Sequence, residues 1–191
     1  GFTRQFVETF LMSNGLPIYA SGSGYKGDTS VDNVREGRES RLDLFMMKPK
    51  EVLDTKVGMI WGNAPGILNL AESRAVTGYG LRKGLSDNYY TGGQTSIEGC
   101  PVFRAAEAYL NYIEASCIEN NGTSIDSKAQ AYWTAIRDRA KLPDYKITLN
   151  ATDLSKESDW GVYSAGQPVS KLLYCIRRER RCELVEEGFR M

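Results

Sequence analysis

The densest run of chemically capable side chains is IRRERRCELVEEGFRM, residues 176–191, in which Arg177, Arg178, Arg180 and Arg181 precede Glu183, Glu186 and Glu187, with Glu179 between. Paired carboxylates can hydrolyse a glycosidic bond, one acting as acid and the other as base or nucleophile. The same carboxylates, bound by arginine, form instead a structural ion-pair network. On a helix, residues three and four apart are neighbours. Arg177 then faces Arg180 and Arg181, Arg178 faces Arg181, Glu179 faces Glu183, and Glu183 faces Glu186 and Glu187; among these contacts only Arg180 with Glu183 is attractive. Glutamates at the C-terminal end also oppose the helix dipole. Such a helix needs ionic partners outside itself. Stepping from Ile176 by three or four reaches Glu179, Arg180 and Glu183 before Leu184, so charges point partly inward, and Arg137, Arg139, Glu107 and Glu114 are the expected partners. A buried charge left without one costs several kcal/mol.

Other chemistries are narrowed by what the sequence lacks. It has no histidine, so Ser-His-Asp and Cys-His nucleophiles and histidine-bearing zinc sites cannot be built from these 191 residues. Cys100, Cys117, Cys175 and Cys182 show no C-x-x-C spacing and are expected as buried thiols. Cys175 and Cys182 would lie about 10 Å apart along a helix, too far to bridge each other, while a pairing with Cys117 or Cys100 stays open. No cofactor or metal is indicated. Gly22, Gly24 and Gly27 spell a G-x-G-x-x-G, but DTSVDNVREGRES follows with almost no apolar face, which argues against a phosphate-binding helix. The sequons at Asn121 and Asn150 read as turn chemistry.

Aromatic side chains in polar loops suit sugar binding, because a flat apolar ring stacks on the C–H face of a pyranose while nearby polar groups take its hydroxyls. The candidates are Trp61 with Asn63, and Tyr19, Tyr25, Tyr79, Tyr89 and Tyr90, all in stretches rich in Gly, Ser and Asn. Trp133 and Tyr109 fall on helix core faces and are assigned to packing.

The elements that must position these residues divide near residue 100. Fifteen of nineteen glycines fall at or before Gly99, so residues 1–100 are expected as irregular loops with short strands, including the apolar runs Leu42–Met47 and Val57–Trp61, and a short helix at Pro65–Ala75. Residues 101–191 are expected as a tetratricopeptide-like helical region of the same domain. Pro101 opens a helix carrying Phe103, Ala106, Tyr109, Leu110, Ile113 and Cys117 to a stop at Gly122. A second runs from a cap at Asp126 or Ser127 through Ala129, Trp133, Ile136 and Ala140 to Pro143. Residues 144–167 read as a loop, and a third helix spans Pro168 to Gly188. Pro101 to Pro168 is 67 residues, near two repeats of about 34.

Lysine plus arginine equals aspartate plus glutamate at 24 each, leaving no net field to attract nucleic acid. No apolar run approaches the roughly 20 residues that cross a bilayer. Gly1 follows no initiator Met and Met191 closes a charged helix, so a piece of a longer protein is expected.

Several segments together resemble the SusD/RagB family, surface lipoproteins that capture nutrients for outer-membrane uptake in Bacteroidetes. PVFRAAEAYLNYIEA (101–115) resembles R-x-A-E-x-x-L-x-x-A-E-A through Arg104, Glu107, Leu110, Glu114 and Ala115. IRDRAKLP (136–143) is similar to R-x-R-A-G-L-P, with Lys141 at the usual glycine. The C-terminal run resembles R-R-x-E-L-x-x-E-G-x-R through Arg180, Arg181, Glu183, Leu184, Glu187, Gly188 and Arg190. VETFLMSNGLPI (7–18) and ESRLDLF (39–45) look like the stretches before those helices, Glu39-Ser40 departing from D-P-R-L. The resemblance implies a mostly α, SusD-like fold of tetratricopeptide-type helix pairs packed with a loop-rich region. It implies a structural ion-pair network drawn from Arg104, Glu107, Glu114, Arg137, Arg139, Arg180, Glu183 and Glu187. It further implies non-catalytic binding of an oligosaccharide or other oligomeric nutrient on the extracellular face of the outer membrane, held there by an N-terminal lipid anchor outside this segment, and delivery to a SusC-like TonB-dependent transporter. Two other readings stand beside it: a cytosolic tetratricopeptide adaptor, which would need regular repeats, and a glycoside hydrolase, which would need a carboxylate pair set in a loop or strand end.

Overall fold

The periodic stretches of the second half become two long helices packed on each other and a third that runs antiparallel along the first, with Arg177 against Glu114, Arg180 against Asn111 and Glu183 against Arg104. In the computed structural model, which describes residues 2–54, 59–60, 77–84, 102–158 and 160–188, the helices in chain order are α1 (Arg4–Thr9), α2 (Val31–Arg35), α3 (Ser40–Phe45), α4 (Ala105–Glu119), α5 (Ser127–Arg139), α6 (Tyr145–Ala151) and α7 (Lys171–Glu183). Strands are short: β1 (Val52–Asp54) pairs antiparallel with β2 (Met59–Ile60), and β3 (Tyr163–Ser164) with β4 (Gln167–Pro168).

Local chemistry sets the helix ends. Asp126 caps α5 by accepting the Ala129 N–H at 2.8 Å, and Ser170 caps α7 by accepting that of Leu173 at 3.1 Å. At the far end of α4, Gly122 N–H returns to the Cys117 carbonyl and Asn121 N–H to that of Ile118, with Asn121 at φ +54°. That is a Schellman close, and it gives the first sequon a backbone role. α5 ends the same way: Leu142 N–H bonds the Arg137 carbonyl and Lys141 N–H that of Asp138, with Lys141 at φ +55°. A glycine adopts this conformation without steric cost; lysine does not.

The core of this half collects Leu110, Ile113 and Cys117 from α4, Ala129, Trp133 and Ile136 from α5, Tyr145 from α6, and Leu172, Tyr174, Cys175 and Ile176 from α7. Trp133 stacks on Tyr145 with ring centroids 4.3 Å apart. A second cluster joins Phe2, Phe6, Val7 and Phe10 to Val34, Leu42 and Met46, and Cys182 of α7 completes it. α7 therefore seals both clusters.

Five expectations need correction. Residues 144–167 are not one loop: Asp144 caps α6 through Lys146 N–H, and 3₁₀ turns at Leu154–Lys156 and Trp160–Val162 lead into the β3–β4 hairpin. The segment is too short for a periodic signal, so its capping aspartate was its only mark. α7 starts at Lys171, because Pro168 is spent in β4. It ends at Glu183, so Glu186 and Glu187 lie beyond its last turn, and Glu183 is left as the glutamate that opposes the dipole there. The glycine-rich half also contains α1 to α3, whose five or six residues carry less than two turns of pattern, and α3 with its C-cap Met46 takes up most of the Leu42–Met47 run expected as a strand. The fifth is the start of α4: it opens at Ala105 with Arg104 as its N-cap residue, so Pro101 does not open it, and Phe103, expected on its apolar face, precedes it and is exposed. The expected helix at Pro65–Ala75, the Val57–Trp61 run as a whole, Pro101 and Cys100 lie outside the described residues.

Candidate functional site

The charges of α7 are resolved in three dimensions. Arg177 reaches Glu114 of α4 at 2.9 Å, Arg178 reaches Glu157 at 3.0 Å, and Arg180 donates to the Asn111 side chain. Glu179 turns fully inward. It accepts the Trp133 indole N–H and an Arg137 N–H, both at 3.0 Å, and Arg41 lies 2.6 Å from its other oxygen. Glu183 meets Arg104 at 2.7 Å, Arg41 at 3.4 Å, and Arg139. Arg104 also grips Glu187 with two N–H groups, at 2.8 and 2.7 Å, and Lys83 adds a contact to Glu187 at 2.5 Å.

Glu39 and Arg41 bring the first half into this cluster. Glu39 precedes α3 but gives no side-chain cap, because one of its oxygens accepts Leu11 N–H at 2.8 Å and the other an Arg41 N–H at 2.6 Å. Ser40 adds a hydrogen bond to the Ala140 carbonyl at the end of α5. The departure Glu39-Ser40 thus supplies one buried acid and one link between halves. Neither Glu39 nor Arg41 was among the expected network residues, since nothing in a six-residue helical pattern marks an inward arginine. Of those expected, Glu107 makes no ion pair among the described residues, and Arg180 with Glu183, the one attractive pair along the helix, find separate partners.

Electrostatics follow from the packing. Burial by itself raises a carboxyl pKa, yet the guanidinium groups of Arg41 and Arg137, with the Trp133 hydrogen bond, hold Glu179 down at about 2. Burial would lower the pKa of Arg41, and Glu39 and Glu179 raise it well above its ordinary value. Burial likewise works to raise the pKa of Glu187, and hydrogen bonds from Arg104 and Lys83 pull it below the usual range. A general acid must hold its proton near neutrality, and the cations around Glu179 and Glu187 favour the opposite, ionised state.

The order of these stretches, and the arginine–glutamate cluster they share, is what a family comparison can test. The sequence model of the SusD family matches residues 1–191. This chain belongs to the SusD family. A solved SusD-like protein from Bacteroides fragilis NCTC 9343 is similar to it, with a TM-score of 0.63 at 24% identity, over 98% of this chain and 34% of the other. The SusD-family chain described here therefore spans about a third of that relative's length. Its mostly α fold is SusD-like. No curated protein matches it.

The aromatic candidates of this SusD-family chain are distributed unevenly. Tyr19 is half-buried, and its hydroxyl donates to Glu157 at 2.6 Å and accepts the Asp153 N–H at 2.9 Å. Burial, then the Glu157 carboxylate, raises the pKa of that phenol. Tyr25 donates to Asp28, which also receives Arg4, and the Arg38 guanidinium lies 5.5 Å from the Tyr25 ring. Burial and Asp28 raise its pKa too. Tyr79 packs against the Phe2–Phe6 cluster. Trp61, Asn63, Tyr89 and Tyr90 lie outside the described residues. Gly22, Gly24 and Gly27 all adopt positive φ with open space around them, and the helix that follows is the five-residue α2, too short to bind a pyrophosphate. Sequence reasoning passed over Tyr163, exposed on the β3–β4 hairpin, and Tyr112, exposed on α4; the signal for Tyr163 was Ala165-Gly166 as a hairpin tip, both at positive φ. Cys117, Cys175 and Cys182 are buried free thiols.

Proposed function

We propose that this chain is part of a non-catalytic nutrient-binding protein on the extracellular face of the outer membrane. It captures an oligosaccharide or another oligomeric nutrient and delivers it to a SusC-like TonB-dependent transporter, with an N-terminal lipid anchor outside this segment holding it at the surface. The match of the SusD family model over residues 1–191 carries this reading. The geometry supports its binding character, because the carboxylates of Glu39, Glu179 and Glu183 are buried in the core and spent on arginine. Ligand contacts are proposed for the loop aromatics: Trp61 with Asn63, and Tyr19, Tyr25, Tyr79, Tyr89 and Tyr90. Tyr19 and Tyr25, whose hydroxyls are already engaged, would offer ring surface and not new hydrogen bonds.

The decisive experiment is a pull-down of the full-length protein from solubilised outer membranes. Recovery of a transporter of TonB-dependent size at near one-to-one is expected; recovery from the soluble fraction without such a partner would overturn the delivery role. Release of free sugars from a glycan panel would overturn the non-catalytic one.

A further inference from the structure

One buried carboxylate has no place in the cluster above. Glu157 stands in the irregular segment after α6, 7% exposed, and collects donors from two separate parts of the chain. One oxygen accepts the Tyr19 hydroxyl at 2.6 Å and an Arg178 N–H at 3.0 Å; the other accepts the Tyr174 hydroxyl at 2.8 Å. Arg178, itself 3% exposed, spends a further N–H on the Thr152 hydroxyl at 2.8 Å. Tyr19 closes the circuit through the backbone of the same segment, since its oxygen accepts the Asp153 N–H. α7 is the rigid side of this arrangement, and both Tyr19 and Glu157 lie on irregular backbone. The Tyr19 loop is also fastened at its base, where Thr148 donates to the Gly15 carbonyl at 2.6 Å and accepts an Arg137 N–H at 2.9 Å. The loop also closes on itself: Ala20 N–H bonds the Pro17 carbonyl and Ser23 N–H that of Ala20, the Ser23 hydroxyl donates to the Ile18 carbonyl, and the Asn14 side-chain amide donates to the carbonyls of Gly22 and Ser23.

We propose that Glu157 is a positioning residue that locks the Leu16–Ser23 loop and the Thr152–Ser158 segment onto α7 as one unit, so that neither rearranges without the other. Without its carboxylate the Tyr19 hydroxyl and the Arg178 guanidinium are left without a common acceptor, and the loop keeps its base but loses its tip. What the unit is for rests on the nutrient-binding reading: it presents the Tyr19 loop in one preformed arrangement, which lowers the ordering cost of capture.

Hydrogen exchange on the full protein, without ligand, tests the coupling. In Glu157→Ala, the amides of Ala20, Ser23, Asp153 and Lys156 are expected to exchange at least about tenfold faster together, while those inside α4 and α5 keep their wild-type rates. Tyr19→Phe, which removes a single oxygen and leaves Glu157 bound to α7, is expected to accelerate Ala20, Ser23 and Asp153. Should Glu157→Ala disturb α4 and α5 as well, Tyr19→Phe alone decides. Acceleration confined to one segment, with the other at its wild-type rate, overturns the proposal. A wild-type protein that retains neither an oligosaccharide on a glycan array nor an oligopeptide on a peptide array would sink the nutrient reading and leave the exchange result standing.

Discussion

Glu179 and Asp28 are bonded by the same kinds of group. Each accepts from an aromatic side chain, Trp133 in one case and Tyr25 in the other, and each faces arginine. Their surroundings differ: the Glu179 side chain is 3% exposed and the Asp28 side chain 33%, and Arg4, the partner of Asp28, is 64% exposed. Water competes for Asp28 and screens its charge, so the pair adds little. Glu179 has no water to return to, and its partners Arg41 and Arg137 are equally enclosed. Removing one member of such a set strands the others without solvent. Burial, not the kind of partner, separates a structural keystone from a surface decoration.

The strongest break of this contrast is Glu179→Ala. It leaves Arg41 and Arg137 buried against each other's charge, and a loss of about 3–5 kcal/mol in unfolding free energy is expected from urea titration. A loss no larger than that of a surface variant would mean water reaches the cluster. Acid provides the same test without mutation. The folded pKa of Glu179 is held at about 2, below its ordinary 4.5, so its contribution is fully present above about pH 4.5 and lost as pH falls toward 2. In that window the unfolded chain binds more protons, so the urea midpoint should rise with pH from 2 to 4.5; a flat profile would contradict the pairing.

A smaller gain is expected from the helix that presents Arg137. Lys141 holds the αL position of the α5 Schellman close at φ +55°. Lys141→Gly relieves that strain, and a net stabilisation of about 0.5–1 kcal/mol is expected in thermal unfolding, reduced by glycine's extra freedom in the unfolded chain. The smallest effect belongs to the exposed pair: Arg4→Ala should leave the urea midpoint unchanged within error. A clear loss there would erase the distinction between the two sites.

Legibility in the sequence followed length of pattern. α4, α5 and α7 each carry more than three turns, enough for Leu110, Ile113, Trp133, Ile136, Leu172 and Ile176 to declare one face. α1, α2, α3 and α6 are too short to do so, and only caps such as Ser30 and Asp144 hint at them. The charged face of α7 was legible as a problem, since the i to i+4 spacing is repulsive, and Arg137, Arg139 and Glu114 could be named because they lie on long neighbouring helices. Arg41 and Glu39 could not, because no local pattern says that a chain more than 100 residues upstream folds back beneath α7.

The sequence by itself determined the three long helices, the Asp126 cap region of α5, the absence of histidine chemistry and the family, because each of these is written in short-range spacing or in motif order. Only the tertiary structure decided which charges meet. Arg41 with Glu179, Arg104 with Glu183 and Tyr19 with Glu157 are separated by long stretches of chain, and their pairing depends on how the packed helices exclude water from one place and leave it in another.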